Sequence, residues 1–560
     1  MKNKKIIHKN RIAVLALSLL TTSSLVMSAT YEPSTKNDSS VNQVTGSEGS
    51  TNSVSTLELL QRSELEGKKS SYTEVLNFVK QNKIKEAREK VTALIKQTPN
   101  EAEFYNLQAL VDIIEKNTFA AQQSYQKSLQ LNPQNITAYL GLSKIDLEAG
   151  DLNKAKEYAI KAIGINDKAI PAYLLLADVA FKQKNNAEVE TVLLNALSKV
   201  KGKIEPEIEI LQNLGKFYAT QKQPEKILTL SEELLKRYPN NSQALSMLAG
   251  SQIANNKKDL AEQTLQQIIG QEKQDVNHRL LLAKLVAEQP NKEKDVLKLL
   301  DDAIAVDGNN PQIMVFKTAY LVRLQRFSDA TELANKVDTQ FPKLVLGKLL
   351  KGDVFLAEKK LDKALEIYQQ VYKIQPDDKV LFTLADLMFA QKKAPDAVKL
   401  LENALTKTPK NGAVHFKLAT LQQALGNNSE AENHYKAILA EQADNILALN
   451  NLALLYAQQN NPQAIELAKK AYDKSPDAAA IADTYGYILV KKGKAAEGLK
   501  ILEKAVIAAP TSNDIQFHLA DAYAENNNKA KAIEILEAIT KLEFTEKVQA
   551  VSLLDKLKTK

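Results

Sequence analysis

The chain has 560 residues, of which 44% are hydrophobic and 25% are charged, with only 18 glycines and 16 prolines. This composition excludes collagen, wholesale disorder and a membrane protein with many spans. The formal charge of +7 comes largely from five basic residues at the extreme N-terminus, and without them 69 basic residues face 67 acidic ones. Nucleic-acid binding needs a basic surface that neutralises phosphates, so a near-neutral body predicts no nucleic-acid partner.

The first 29 residues have the layout of an export signal. A basic stretch precedes the apolar run from Ile12 to Leu20, and a Thr/Ser-rich segment follows it. We therefore expect a signal peptide over residues 1–29, with cleavage after Ser28 or Ala29. An uncleaved anchor is the alternative, and it would give the chain membrane contact through this segment alone. The apolar run is short for a span of about 20 residues, which favours cleavage.

The chain contains no cysteine. This absence suits an oxidising compartment, and it excludes disulfides, cysteine-ligated zinc and lipid attachment through a cysteine. Together with the signal layout, it predicts an exported protein that is periplasmic or associated with the cell envelope.

Residues 30–67 are predicted to form a disordered linker that leads into the first helix. Residues 30–56 are rich in Ser, Thr, Asn and Gly with almost no large apolar side chain, so they cannot bury a core. From about Leu57 onward, apolar residues recur at three- and four-residue spacings, with breaks at proline or asparagine pairs. No strand-like alternation persists, so the body of the chain is predicted to be all-α.

A period near 34 residues runs through the body and predicts about fourteen helix-turn-helix repeats. The predicted hairpins begin near residues 68, 102, 136, 170, 208, 242, 276, 311, 345, 378, 412, 446, 479 and 513. Because one hairpin cannot bury both of its apolar faces, each is expected to pack on the next, which gives a solenoid over 68–546. The period stretches to 38 residues at 199–206, where we expect a bend.

Residues 547–560 are predicted to form an amphipathic helix that caps the open end of the solenoid. Lysines mark its outer side. The residues expected to face the protein are Val548, Val551, Leu553, Leu554 and Leu557.

The hairpins share small, aromatic and proline positions at fixed spacing. The repeat from residue 208 carries Leu211, Leu214, Gly215, Tyr218 and Pro239, and the repeat from residue 446 carries Leu449, Leu452, Ala453, Tyr456, Ala464, Ala468 and Pro476. In second helices an alanine precedes a tyrosine by four residues, as in Ala121 and Tyr125, Ala364 and Tyr368, and Ala431 and Tyr435. This pattern resembles the tetratricopeptide repeat family. The resemblance implies a right-handed superhelical solenoid whose first helices line a concave groove that binds peptides, helices or folded partners.

The segment from Ala448 to Lys494 resembles more narrowly the long bacterial repeat proteins associated with exopolysaccharide and exosortase systems. That resemblance implies a role in surface polysaccharide or envelope assembly. Many such proteins look like lipoproteins, whereas this chain has no cysteine to acylate. Membrane attachment of that kind is therefore not expected here.

The sequence carries no motif of a catalytic, cofactor or metal site. A His-Glu-x-x-His helix, a phosphate-binding glycine loop and a Gly-x-Ser-x-Gly elbow are all missing. His415 and His434 share one hairpin, and we expect polar packing there rather than a metal site, which would need a third ligand. We therefore predict a protein that is not an enzyme and that uses no cofactor or metal.

Candidate partner-binding residues lie on the first helices, where packing between hairpins does not explain them. Asn106, Asn213 and Asn451 each precede the motif leucine. In resembling peptide-binding arrays an asparagine there hydrogen-bonds the ligand backbone, and a bond to the neighbouring hairpin is the alternative. Near the C-terminal end, a mixed aromatic and charged surface is expected to point inward, as a protein-binding patch requires. Its residues are Lys417, Asn450, Asp483, Tyr487, Phe517 and Asp521.

The leading interpretation is an exported scaffold that holds protein partners in its groove. Two alternatives are direct glycan binding, suggested by Tyr, Asn and Asp residues on the inner helices, and a chaperone-like holder of exported proteins. An enzyme of unfamiliar type is a further class, and the missing motifs argue against it.

Overall fold

The computed structural model describes residues 69–559. The predicted signal peptide (1–29), the predicted linker (30–67) and the last residue of the predicted capping helix lie outside these residues. All regular elements from Lys69 to Thr559 are α-helices, 29 in total, and no residue of this range lies in a strand. The predicted all-α class is confirmed.

The chain divides into two compact units between Asn309 and Asn310. The described part of the first unit holds seven helical hairpins. Their helices are α1 (Lys69–Lys80), α2 (Ile84–Gln97), α3 (Ala102–Ile114), α4 (Thr118–Leu131), α5 (Ile136–Ala149), α6 (Leu152–Ile165), α7 (Ile170–Lys182), α8 (Asn186–Val200), α9 (Ile204–Thr220), α10 (Pro224–Arg237), α11 (Ser242–Ala254), α12 (Lys258–Gln271), α13 (Val276–Val286) and α14 (Glu293–Val306).

The described part of the second unit holds seven further hairpins and one single helix at its end. Its helices are α15 (Pro311–Arg323), α16 (Phe327–Gln340), α17 (Leu346–Ala357), α18 (Leu361–Ile374), α19 (Asp378–Ala390), α20 (Ala394–Lys407), α21 (Gly412–Leu425), α22 (Asn428–Glu441), α23 (Ile446–Gln458), α24 (Ala464–Lys474), α25 (Ala479–Lys491), α26 (Ala495–Ala508), α27 (Asn513–Glu525), α28 (Lys529–Ile539) and α29 (Lys547–Lys558). The predicted fourteen hairpins are therefore confirmed, while the right-handed sense of the superhelix stays a prediction.

Each hairpin turns through one residue with positive φ, and the residues before and after it close the helix end. In the turn between α7 and α8, Lys184 has a φ of 58°, its N–H donates to Phe181, and the N–H of Asn185 donates to Ala180. These two bonds form the Schellman arrangement, which satisfies the last carbonyls of a helix. The residues that adopt this conformation are Asn82, Lys116, Gly150, Lys184, Lys222, Asn256, Asn291, Gln325, Lys359, Lys392, Gly426, Asn460, Gly493 and Asn527.

The predicted pairs of alanine and tyrosine on second helices are buried, as expected from their spacing. Tyr125 on α4 packs beneath Gly141 on α5, and a Cβ added at Gly141 would lie 2.3 Å from the tyrosine ring. This position therefore requires glycine, because any side chain would push the two hairpins apart. Packing of this kind runs from hairpin to hairpin, so each unit has a core distributed along its length.

The first helices begin at most one residue from their predicted positions, except for α9, which begins at Ile204 rather than near residue 208. The four extra residues of this repeat form an additional turn at the start of α9. Glu207 in that turn is fully buried; its Oε1 accepts from the Gly202 N–H at 2.6 Å and the Tyr238 hydroxyl at 3.0 Å. Arg237 forms an ion pair with the same carboxylate. The bend expected at 199–206 stays a prediction.

The single helix α29 packs against α27 and α28 through part of its predicted apolar side. Ala550 is fully buried, and Leu553, Leu554 and Leu557 pack partly buried on the same core cluster. The prediction was wrong for two positions, because Val548 is 72% exposed and Val551 is 38% exposed. These two side chains lie one turn apart on the side that α27 and α28 leave uncovered.

Candidate partner-binding face

The first helices of consecutive hairpins contact one another in both units, for example α5 with α7 and α25 with α27. Second helices contact the first helix of their own hairpin and the first helix of the next one. The first helices therefore form a layer of their own within each unit. We call the side of this layer on which consecutive first helices exchange side-chain bonds the inner face.

On the inner face of the second unit, α19 and α21 are joined by an ion pair between Lys417 and Asp386. Lys417 Nζ lies 2.5 Å from Asp386 Oδ1, and 31 positions separate the two residues. Phe382 and Phe389 lie one turn before and one turn after Asp386, and Phe416 directly precedes Lys417. All three rings are half-buried. We call these three phenylalanines the aromatic patch.

At the C-terminal end of the same face, His518 on α27 is buried between two carboxylates. Its Nδ1 lies 2.6 Å from Asp483 Oδ1 on α25, and its Nε2 lies 2.6 Å from Glu546 Oε2, directly before α29. Burial disfavours the charged ring, but the two carboxylates outweigh it and raise the pKa of His518 to about 9. The ring is therefore an imidazolium at neutral pH.

Tyr487 and Lys491 on α25 extend this network. The Tyr487 ring stacks on His518 with ring centroids 3.9 Å apart, and Lys491 Nζ lies 5.1 Å from the centre of the Tyr487 ring. Lys491 also reaches α27, where its Nζ lies 2.5 Å from Asp521 Oδ2. The structure therefore brings together the predicted residues Asp483, Tyr487 and Asp521. The two carboxylates form ion pairs between hairpins, and the tyrosine ring stacks on His518.

Phe517 and Asp521 are buried, so they leave little surface for a partner. Phe517 belongs to the apolar cluster beneath α29. Of the predicted C-terminal residues, Lys417, Asp483 and Tyr487 keep part of their side chains exposed.

The predicted asparagines bond within the repeats. Asn106 Nδ2 donates to Asn135 Oδ1 at 3.1 Å, which is the predicted alternative of a bond to the next hairpin. Asn213 Nδ2 donates to the Glu209 carbonyl of its own helix at 2.8 Å. Both asparagines are buried, and the Oδ1 atom of each has no hydrogen-bond partner in the described residues.

Asn450 and Asn451 lie side by side on α23. Asn450 is buried and donates to Asn451 at 3.3 Å, while Asn451 is half-buried and donates to the Tyr435 hydroxyl at 3.3 Å. Asn451 is thus the predicted asparagine that retains accessible surface. Whether any of these residues contacts a partner stays a prediction.

In the first unit, neighbouring helices cover most of α7, whose residues from Ile170 to Ala180 are all buried. Asp178 on this helix is 6% exposed, and its Oδ1 has no hydrogen-bond partner in the described residues. Burial raises its pKa to about 7, and the charges of Lys144, Lys182 and Lys216 offset this only in part. Over these eleven residues α7 therefore offers almost no surface to a partner.

His415 and His434 do approach each other, with their Nδ1 atoms 3.0 Å apart. The Nε2 atom of His415 lies 2.9 Å from the Pro409 carbonyl, which can only accept, so Nε2 carries a proton. Within residues 69–559, no group of three or more His, Cys, Asp or Glu side chains is placed to hold a metal ion.

Sequence reasoning missed the aromatic patch, Lys491, His518, Glu546 and Asp178. A signal for some of them exists, because the bonded charges lie about one repeat apart. The spacing is 31 residues for Asp386 and Lys417, 30 for Lys491 and Asp521, and 35 for Asp483 and His518. Opposite charges at this spacing indicate contacts between consecutive first helices.

Family models agree with the hairpin geometry. Two models described as tetratricopeptide repeat match residues 218–285, 388–454 and 489–557, and residues 136–168 and 348–378. The chain carries tetratricopeptide repeats. Proteins with these repeats generally mediate protein–protein interactions. In the described part of the chain, no helix has both the length and the apolar character to cross a membrane.

Relatives share short stretches of these repeats. A TPR repeat-containing protein of Pseudomonas aeruginosa is 25% identical over 178 residues, which cover 31% of this chain and 30% of that protein. The cellulose synthase operon protein C of Xanthomonas axonopodis is 30% identical over 156 residues, covering 26% of this chain and 10% of that protein. The matches thus span less than a third of each relative's length.

A crystal structure of a tetratricopeptide repeat protein from Parabacteroides merdae aligns with 44% of this chain and 98% of its own. The alignment has a TM-score of 0.36 at 17% sequence identity.

Proposed function

We propose that this chain is an exported scaffold that binds protein partners on the inner face of its second unit. The aromatic patch carries this proposal. Phe382 and Phe389 are half-buried against one core cluster and Phe416 against the next, so each ring keeps part of its surface exposed. Partly exposed aromatic rings beside a fixed ion pair form the mixture of anchors and polar surround that protein interfaces use.

Tyr487 and Asn451 extend the proposed surface towards the C-terminal end. Both are half-buried on first helices, and both are held by bonds to neighbouring residues. Side chains that are already fixed lose little conformational freedom when a partner binds. In the first unit, by contrast, the residues of α7 from Ile170 to Ala180 are all buried.

The cell envelope is the proposed location, and assembly of surface polysaccharide is the proposed context. The export-signal layout of residues 1–29 and the lack of cysteine support the location. The name of the Xanthomonas relative, which refers to a cellulose synthase operon, supports the context. Fractionation of the expressing cells tests the location, since recovery of the chain with cytoplasmic proteins would contradict export.

Pull-down from envelope extracts with matched variants tests partner binding. Phe389→Ser removes one ring of the aromatic patch, and Ile374→Ser removes an exposed apolar side chain from the second helix α18 as a control. We expect the wild type and the control to recover the same proteins, and Phe389→Ser to lose them while keeping its helical circular dichroism. Recovery of one set of proteins by all three, or binding of glycans alone, would contradict the proposal.

A further inference from the structure

The aromatic patch continues from α21 onto α23 as an aliphatic surface. Asn451 lies on the inner face of α23, one repeat after Lys417 on α21. Residues three and four positions apart share one side of a helix, so Leu447 and Leu454 lie on the same side as Asn451. Leu447 is 58% exposed, and Leu454 is half-buried. We call the aromatic patch together with Leu447 and Leu454 the apolar strip.

An ion pair lies in the middle of the apolar strip. Its partners are Lys417 and Asp386, and their side chains are 18% and 25% exposed. A pair that is already formed and largely covered presents little net charge to a ligand. A highly charged segment would therefore gain little from this surface, whereas an apolar segment would gain by removing the aromatic rings and Leu447 from water.

The polar side chains along the apolar strip already make hydrogen bonds within the array. The hydroxyls of Thr383 and Thr420 each donate to a carbonyl of their own helix at 2.9 Å. Gln423 Oε1 accepts from the Tyr435 hydroxyl at 2.6 Å, and Asn451 Nδ2 donates to the same hydroxyl. The backbone of a ligand would have to compete with these bonds.

An extended peptide and a helix need different partners on such a surface. The N–H and C=O groups of an extended peptide need hydrogen bonds wherever the peptide is covered, whereas a helix bonds its own backbone groups. Asn450 Oδ1 has no hydrogen-bond partner among residues 69–559, but it is buried and out of reach of a ligand. The apolar strip therefore suits a helix whose apolar side chains recur every three or four residues.

We propose that the apolar strip binds the apolar face of an amphipathic α-helix of the partner protein. This inference rests on the proposed function, and it adds the conformation and the chemistry of the segment that is bound. The three phenylalanines and the two leucines cover the apolar side chains of that helix, and its polar side faces solvent. Binding then depends on the apolar area that is buried, and it depends little on salt.

Three labelled synthetic peptides, titrated with the full-length chain, test this proposal by fluorescence anisotropy. The first has leucines at three- and four-residue spacings with equal numbers of Lys and Glu between them, the second has the same composition without an apolar face, and the third is the first with two central prolines. We expect the first peptide to bind at least about tenfold more tightly than the other two, with less than about a twofold change on raising the salt concentration. Equal affinities, no binding of the first peptide, or a strong salt dependence would overturn the proposal.

Two matched variants of the chain locate the binding of the first peptide. Leu447→Ser and Ile374→Ser each replace a largely exposed aliphatic side chain, 58% and 61% exposed, on the apolar strip and on α18 respectively. We expect Leu447→Ser to weaken binding about tenfold and Ile374→Ser to leave it unchanged. Equal effects of the two variants, or none from Leu447→Ser, would contradict the proposal.

The pull-down described above fails or succeeds separately from this test. If Phe389→Ser loses the recovered proteins while the helical peptide binds no better than the proline peptide, the scaffold stands and the helix is the wrong ligand. If glycans bind in place of the helical peptide and no protein is recovered, both proposals are wrong.

Discussion

Each unit buries a titratable side chain in its layer of first helices, and the two side chains differ in their hydrogen bonds. In the first unit, Asp178 has a carboxylate oxygen that finds no hydrogen-bond partner among residues 69–559, and burial raises its pKa to about 7. In the second unit, His518 is equally buried but bonds two carboxylates, and its pKa rises to about 9. Burial favours the neutral form of the aspartate, whereas two bonded carboxylates favour the charged form of the histidine. The number of bonded partners therefore decides whether a buried side chain of this layer is charged or neutral.

The largest effect is expected from His518→Leu. This change removes the buried cation that bonds both Asp483 and Glu546, which should lower the unfolding free energy of the second unit by about 3–5 kcal/mol. This loss is measured by unfolding the chain in urea and monitoring the hydrogen exchange of residues 446–559 at each urea concentration. A loss below about 1 kcal/mol, the range of exposed ion pairs, would show that the network is no better paired than a surface contact.

The pH dependence of the second unit should carry the sign of a raised histidine pKa. The folded pKa of about 9 exceeds the unfolded value of 6.5, so the stabilisation is complete below pH 6.5 and is lost as the pH rises through 9. The expected loss is about 3–4 kcal/mol, since each pH unit between the two pKa values corresponds to about 1.4 kcal/mol. Denaturant unfolding at pH 6, 8 and 10 tests this. If the unfolding free energy of His518→Leu falls with pH as steeply as that of the wild type, other titratable groups cause the pH dependence.

Asp178→Asn should stabilise the first unit at pH 8. Because the folded pKa of Asp178 is raised above 3.8, the folded state binds its proton more tightly, and stability falls as the pH rises from about 4 to about 7. An amide of the same shape carries no charge, so the variant should gain about 4 kcal/mol at pH 8 and none at pH 4. Urea unfolding of both chains, monitored by the hydrogen exchange of residues 136–237, measures this difference in unfolding free energy. Equal slopes in variant and wild type would break the comparison between the two units.

The smallest effect is expected from Lys410→Gln. Lys410 pairs with Glu441, 31 residues away, but both side chains are largely exposed, so the pair is screened by water and salt. We expect the urea midpoint of the second unit to stay within experimental error of the wild type. A clear shift of the urea midpoint would mean that an ion pair between consecutive repeats stabilises the unit even when both side chains are exposed.

The sequence contained most of the fold, because the 34-residue period fixes where each hairpin starts. It misplaced the start of α9, since the residues from Ile204 to Glu207 carry no signal that separates a loop from an added helical turn. The structure shows the reason for the turn: Glu207 finds Gly202, Arg237 and Tyr238 as partners. Those partners are 5 to 31 residues away, and only folding brings them together.

The candidate site was less predictable, because burial on a first helix depends on how closely its neighbours approach. Asn106 and Asn213 have the spacing of exposed groove residues, yet adjacent helices cover them. Val548 and Val551 show the converse, since apolar character predicted burial where α27 and α28 leave the surface open. Asp483 and Tyr487 were predicted to point inward, but the contacts that they make with His518 could not be predicted without the distance between two helices.

Crosslinking in intact cells from a photoreactive residue at Phe416 tests the central claim, that the inner face of the second unit binds a protein. A photoreactive residue at Ile374, on the exposed side of α18, is the matched control. We predict that mass spectrometry identifies one crosslinked protein from position 416 that is absent from position 374. The same set of crosslinked proteins from both positions, or none from position 416, would contradict the claim.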